Sequence, residues 1–158
     1  MSSLHLTTFI AAPLQRVFDL SRSIDLHKIS TAGTDEQAIA GTMNGLINLE
    51  ETVTWQAKHL FKTRLFTSRI SAMTIPAYFC DEITKGDFKS FRHEHHFKAA
   101  DNGTIMIDLV EFESPYAAIG KLFNKIYLEK YIRELLVKRN EVIKKYAESG
   151  KWKDVLLN

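Results

Sequence analysis

The sequence predicts an α+β domain: a curved antiparallel sheet of six to seven strands wrapped around one long C-terminal helix, with two short helices after the first strand. Three observations predict it. Segments of alternating polarity follow one another between residues 49 and 113, separated only by short turn-like stretches. Apolar residues then recur at three-and-four spacing from about 117 to 148. The three prolines, Pro13, Pro76 and Pro115, fall between these segments, where a missing N–H breaks no ladder or helix.

Leu4, Leu6, Thr8 and Ile10 alternate and read as the first strand, residues 4–10. Pro13 suits the first position of a helix, and Leu14, Val17, Phe18 and Leu20 give that helix an apolar stripe. A second short helix is expected after Ser23, with Ile24 and Leu26 facing inward. Residues 30–45, rich in glycine and small polar residues, read as a loop with a short strand at 38–40.

In residues 49–59, Val53, Trp55 and Ala57 share one strand face, opposite Thr52, Thr54, Gln56 and Lys58. Further strands fit at about 63–73, 77–84, 88–98 and 104–113. Lys85-Gly86 and Asp101-Asn102-Gly103 supply turn chemistry. Pro115 ends the sheet. The segment 117–148 follows as one helix, its apolar side carrying Ile119, Leu122, Phe123, Ile126, Tyr127, Tyr131, Leu135, Val142, Ile143 and Tyr146. Glu129–Arg133, Glu134–Lys138 and Glu141–Lys145 are favourable i,i+4 pairs on its other face. About 30 residues at 1.5 Å each make a rod of roughly 45 Å, enough to cross a small sheet. A twisted sheet curls, and this helix is the one element large enough to cover its concave face. A curved sheet meets a straight rod poorly at its edges, so an internal cavity is expected.

The chain has 158 residues, 45% of them hydrophobic, which suits one domain with one sizeable core. Residues 1–150 are expected to form it, with 151–158 as a tail that either packs back or meets a second copy. Monomer and homodimer both stay open. With 21 basic and 19 acidic residues the net charge is +2, too small for a nucleic-acid binder held by counterion release. One cysteine, Cys80, excludes an intrachain disulfide framework. The first ten residues lack the basic start and apolar core of a signal peptide, so a cytoplasmic location is expected. The long helix carries more basic than acidic residues, which allows at most transient contact with an anionic membrane.

Several segments together resemble the START-like, or SRPBCC, superfamily with its helix-grip fold, also that of the major birch pollen allergen. They are Ala12-Pro13-Leu-Gln-Arg-Val17-Phe18, Thr54-Trp55, Pro76-Ala-Tyr-Phe79-Cys-Asp81-Glu with Gly86-Asp-Phe88, His93-Glu-His95-His-Phe97, Gly103-Thr104-Ile-Met106-Ile-Asp108, and Arg139-Asn140 on the long helix. The match covers nearly the whole chain, and the resemblance is to a subgroup of small bacterial members many of which have no known function. The resemblance implies a hydrophobic cavity between sheet and helix that binds lipids, sterols, quinones, polyketides or hormones. It also implies that some relatives are aromatase/cyclases while others only carry or sense ligands.

The inward set on strand 88–98 is Phe91, His93, His95 and Phe97. On strand 104–113 both phases are apolar, and the resemblance favours Thr104, Met106, Asp108, Val110 and Phe112 as the inner one. With the turn centred on residues 100–101, His93 is expected opposite Asp108 and His95 opposite Met106. The pair His93–Asp108 reads in two ways: a polar handle for a ligand headgroup or proton, or an internal hydrogen bond that fixes register. The first reading predicts that His93→Phe keeps the fold and weakens ligand binding.

The expected ligand-binding residues are therefore Trp55, Phe79, Asp81, Phe91, His93 and His95 on the sheet, with Met106, Asp108 and Val110 beside them. Phe123, Tyr127 and Tyr131 join from the helix. Such rings with few polar groups favour a flat or greasy ligand. His93 and His95 share a face without a clear third ligand, which makes a weak zinc site, and no metal or cofactor is expected. Cys80 lacks neighbours that would stabilise a thiolate. Binding or transport of a small hydrophobic ligand is the preferred function. An enzyme of the polyketide cyclase/aromatase or hydrolase type, with His93 and Asp108 as acid and base, is one alternative. A protein–protein adaptor using Ile105, Ile107 and Leu109 on the outer face is another.

Overall fold

The computed structural model describes residues 1–114 and 121–157, and the backbone alone for 121–124. Pro115, the helical residues expected at 117–120 and the side chains of Leu122 and Phe123 lie outside the described residues. Strand β1 spans Ser2–Ile10, and helices α1 (Leu14–Ser21) and α2 (Ile24–Ser30) follow. Next come β2 (Gln37–Gly41), β3 (Thr52–His59), β4 (Lys62–Thr74), β5 (Tyr78–Lys85), β6 (Ser90–Ala100) and β7 (Gly103–Glu113). Helix α3 runs Lys121–Glu148 and a short α4 spans Trp152–Leu156. All seven strands join one antiparallel sheet in the order β1-β7-β6-β5-β4-β3-β2. The predicted α+β architecture is the observed one. No described helix is long and apolar enough to cross a membrane.

Local chemistry sets the element ends. Pro13 is extended (φ −60°, ψ 144°) and caps α1 from outside rather than opening its first turn. Ser23 caps α2, its side chain accepting from the Leu26 N–H. The β6–β7 turn ends at Gly103, where a Cβ would sit 2.2 Å from the Ile10 carbonyl oxygen, so only glycine lets β7 start this close to β1. Register shifts interrupt β2 on β3 once and β4 on β5 twice. Such bulges bend the strands that carry them and give the sheet its curl.

The β6–β7 register corrects one expectation. His93 pairs with Val110, His95 with Asp108 and Phe97 with Met106, because the turn is centred between Asp101 and Asn102. The displacement is two residues, one full pleat period, so every side chain keeps its face. Thr104, Met106, Asp108, Val110 and Phe112 are buried, while Ile105, Ile107 and Leu109 are half-buried on the other face.

The core falls into two clusters. One gathers Phe18, Phe79, Phe97, Met106 and Ile143 around α1 and the C-terminal half of α3. The other gathers Leu4, Val110, Phe112, Ile132 and Leu136. Residues 151–157 pack back on the first cluster through Trp152, Val155 and Leu156, and Arg16 lies 4.3 Å above the Trp152 ring. The N-terminal part of α3 is less covered: Ile126 and Tyr127 are exposed despite their place on the expected apolar stripe.

Candidate functional site

Between the sheet and α3 lies a cavity of about 570 Å³, within the usual range for small-molecule sites. Members of both core clusters line it, among them Ile24, Val53 and Ile70 of the first and Ile132 and Leu136 of the second. Phe18, Phe79 and Phe97 interlock on one side, with centroids 5.3–5.9 Å apart. Phe88, Phe91 and Phe112 do the same on the other, at 5.2–6.1 Å. Rings held in such contacts pack against one another, and Phe79, Phe88 and Phe91 of the two groups line the cavity. More than half of the lining residues are apolar or aromatic, and the cavity reaches the surface beside the exposed Phe61, Leu65 and Tyr127.

Two polar clusters interrupt the apolar wall. In the first, pleating brings Asp81 of β5, His93 and His95 of β6 and Asp108 of β7 onto one face, with Asp81 opposite His93 and His95 opposite Asp108. Asp108 is fully buried. Its Oδ1 lies 2.8 Å from His93 Nε2, 3.2 Å from His95 Nδ1 and 3.5 Å from Arg139 Nη1. Its Oδ2 accepts from Asn140 Nδ2 at 2.7 Å. Burial alone would raise the pKa of Asp108, but the two imidazoles and the nearby guanidinium outweigh it and hold the carboxyl well below its ordinary range. Burial likewise opposes ionisation of Asp81, and the hydrogen bond and charge of His95 overcome it, so its pKa falls too. His93 goes the other way: burial, then the charge of His95, push it below the ordinary histidine value against the pull of Asp108.

The second cluster is centred on Glu36, just before β2. His27 Nε2 of α2 lies 2.6 Å from Glu36 Oε2, and His59 Nε2, at the end of β3, lies 3.0 Å from Oε1. His59 Nδ1 meets the Tyr131 hydroxyl of α3 at 2.7 Å. His27 also packs on Trp55, centroid to centroid 4.3 Å. Burial would raise the Glu36 pKa, yet the two histidines bring it down to about 2. Among the described residues no buried side-chain nitrogen or oxygen lacks a partner. Both clusters are therefore complete hydrogen-bond networks beside an apolar space.

Of the residues singled out in the sequence, Trp55, Phe79, Asp81, Phe91, His93, His95, Tyr127 and Tyr131 line the cavity. Met106, Asp108 and Val110 are fully buried and do not line it. Asp108 meets the cavity through His93, His95 and Arg139, which line it. Cys80 is buried, its neighbours Phe79 and Asp81 line the cavity, and burial raises its thiol pKa. Glu36, His27 and His59 were not expected as a unit. They are 9 and 23 residues apart along the chain, and no periodicity connects them.

No protein-family model and no curated protein matches this chain in sequence. Solved structures match it in shape. The Zhui aromatase/cyclase from Streptomyces sp. R1128 superposes with a TM-score of 0.75 at 12% identity, over 93% of each chain. A START superfamily protein from Mycobacterium smegmatis gives 0.68 at 12%, over 90% of this chain and 97% of that one. Ginseng major latex-like protein 151 from Panax ginseng gives 0.67 at 12%, over 92% and 97%. The class is thus a curved antiparallel sheet gripping a C-terminal helix. Within it, this chain has the helix-grip fold that these structures share.

Proposed function

We propose that this protein binds a small hydrophobic ligand in the cavity between sheet and α3, with the ligand's polar end toward the Asp81–His93–His95 wall. The cavity itself carries this reading: about 570 Å³ of space bounded mostly by apolar and aromatic side chains. Leaving such a volume unfilled forfeits packing that a core of this size would otherwise use. A bound apolar molecule would restore those contacts. The resemblance to a superfamily of hydrophobic-ligand binders points the same way. The test is native mass spectrometry of the purified protein, followed by organic extraction. A non-covalent adduct released as an apolar small molecule is the expected result. Bare protein that also fails to enhance the fluorescence of a solvatochromic apolar dye would overturn the proposal.

The contact between His93 Nε2 and Asp108 Oδ1 favours a second reading, acid/base catalysis on a bound aromatic or polyketide-type substrate. The solved aromatase/cyclase of the same fold adds to it. The same spectra discriminate: carriage leaves the extracted molecule unchanged after incubation with fresh protein, whereas catalysis changes its mass or isomeric form.

A further inference from the structure

We propose that Asp81, His93 and His95 form a binding site for one divalent transition-metal ion of zinc-like, borderline softness, with an open coordination position facing the cavity. The argument starts from Asp108. Its Oδ1 accepts from His93 Nε2 at 2.8 Å and lies 3.2 Å from His95 Nδ1, so a buried anion stands beside a nitrogen of each ring and can hold a ring proton there. The remaining nitrogens, His93 Nδ1 and His95 Nε2, both face Asp81: the first then carries a lone pair, and the second gains one when the proton it shares with Asp81 moves to Nδ1 beside Asp108. His95 Nε2 lies 2.6 Å from Asp81 Oδ2 and His93 Nδ1 lies 3.9 Å from it. One donor atom from each residue lies within 4.8 Å of the others.

At 2.6 Å His95 Nε2 and Asp81 Oδ2 share one proton, and a metal ion bound between them would displace it. Zinc bonds of about 2.0–2.2 Å set ligand atoms about 3.3 Å apart in a tetrahedron, and the separations of 2.6 and 3.9 Å bracket that spacing. The surroundings match what orients metal-bound histidines: a carboxylate behind both rings, itself held by Asn140 Nδ2 at 2.7 Å. With neutral imidazoles, Asp81 and Asp108 against Arg139 leave one net negative charge, which favours a dication. Two imidazoles and one carboxylate suit zinc and its neighbours in the first transition row. Asp81, His93 and His95 all line the cavity, so the open position would meet an oxygen of whatever occupies it.

The inference goes beyond ligand binding and is tested without any organic ligand. Protein stripped with a chelator and dialysed is titrated with Zn²⁺ by calorimetry, in parallel with His93→Gln, Asp81→Asn, Asp108→Asn and His96→Ala. Wild type is expected to take up one equivalent. The first two substitutions should weaken binding at least about 100-fold, and Asp108→Asn about 10–100-fold. His96→Ala, on the outer face, should leave it unchanged. Absence of zinc uptake by wild type, or uptake by His93→Gln and Asp81→Asn as tight as wild type's, overturns the site. Where these variants fail to fold, imidazole NMR of wild type decides. Zinc-dependent shifts confined to His93 and His95 support the site, and shifts confined to other histidines overturn it. A failure here leaves the apolar cavity, and the test of its ligand, untouched.

Discussion

At the scale of single residues, Glu36 has the clearest energetic consequence. Its side chain is 6% exposed and bridges His27 and His59. Its folded pKa of about 2 lies below the ordinary 4.5. A depressed carboxylate contributes stability that is fully present above the ordinary value and is lost as pH falls from there toward the folded one. The shift corresponds to about 3 kcal/mol. Urea unfolding of wild type and Glu36→Gln is expected to show a gap of that order at pH 6–7, closing between pH 4.5 and 2. A gap that stays constant across this range would refute the assignment. Nothing in the sequence announced this cluster, because Glu36 sits in a stretch whose composition reads only as a loop. His93 and His95 were legible because alternation on one strand puts them on one face. Asp81 came from the resemblance, and only the β5–β6 register set it opposite His93.

At the scale of elements, the local periods did most of the predictive work. Period two marked β3 to β7 and period 3.6 marked α3, since both patterns lie within a single segment. Pairing between segments was harder. The β6–β7 register came out two residues off because Ala99, Ala100 and Asp101 do not specify where the turn pivots. The β3–β4 hairpin was located without its turn being read, because Leu60-Phe61 is not turn chemistry. Both residues have positive φ, 52° and 65°, between the closing pair His59 and Lys62. That geometry favours Asn-Gly, and left-handed backbone costs other residues roughly 1 kcal/mol or more each. Phe61 is nevertheless fully exposed at the cavity rim. The double substitution Leu60→Asn, Phe61→Gly is therefore expected to stabilise the fold by about 1–2 kcal/mol, read as a higher urea midpoint with unchanged slope. A lower midpoint would mean that Leu60 and Phe61 make contacts worth more than the strain.

At the scale of the whole molecule, the question is why a chain with this much apolar sequence leaves space inside. Element order, and hence the helix-grip fold, follows from local patterns. The volume between elements does not, because it depends on how bulges curve β4 and on which rings touch across the gap. Phe79 of one aromatic group and Phe88 and Phe91 of the other line that space. If that space serves a ligand, filling it should raise stability and remove binding together. Ser68 on β4 is the place to try. It is buried, it lies opposite Val53 on β3 and Ile83 on β5, and all three line the cavity. Ser68→Leu would project apolar volume into the void without interrupting a ladder hydrogen bond. The expected outcome is a gain of about 0.5–2 kcal/mol in urea unfolding, with loss of the non-covalent adduct in native mass spectra and of apolar-dye fluorescence. Stabilisation with full ligand retention would place the ligand elsewhere. Destabilisation would show that the wall at β4 is already closely packed, and that the space between sheet and helix is smaller in solution than the fold's geometry indicates.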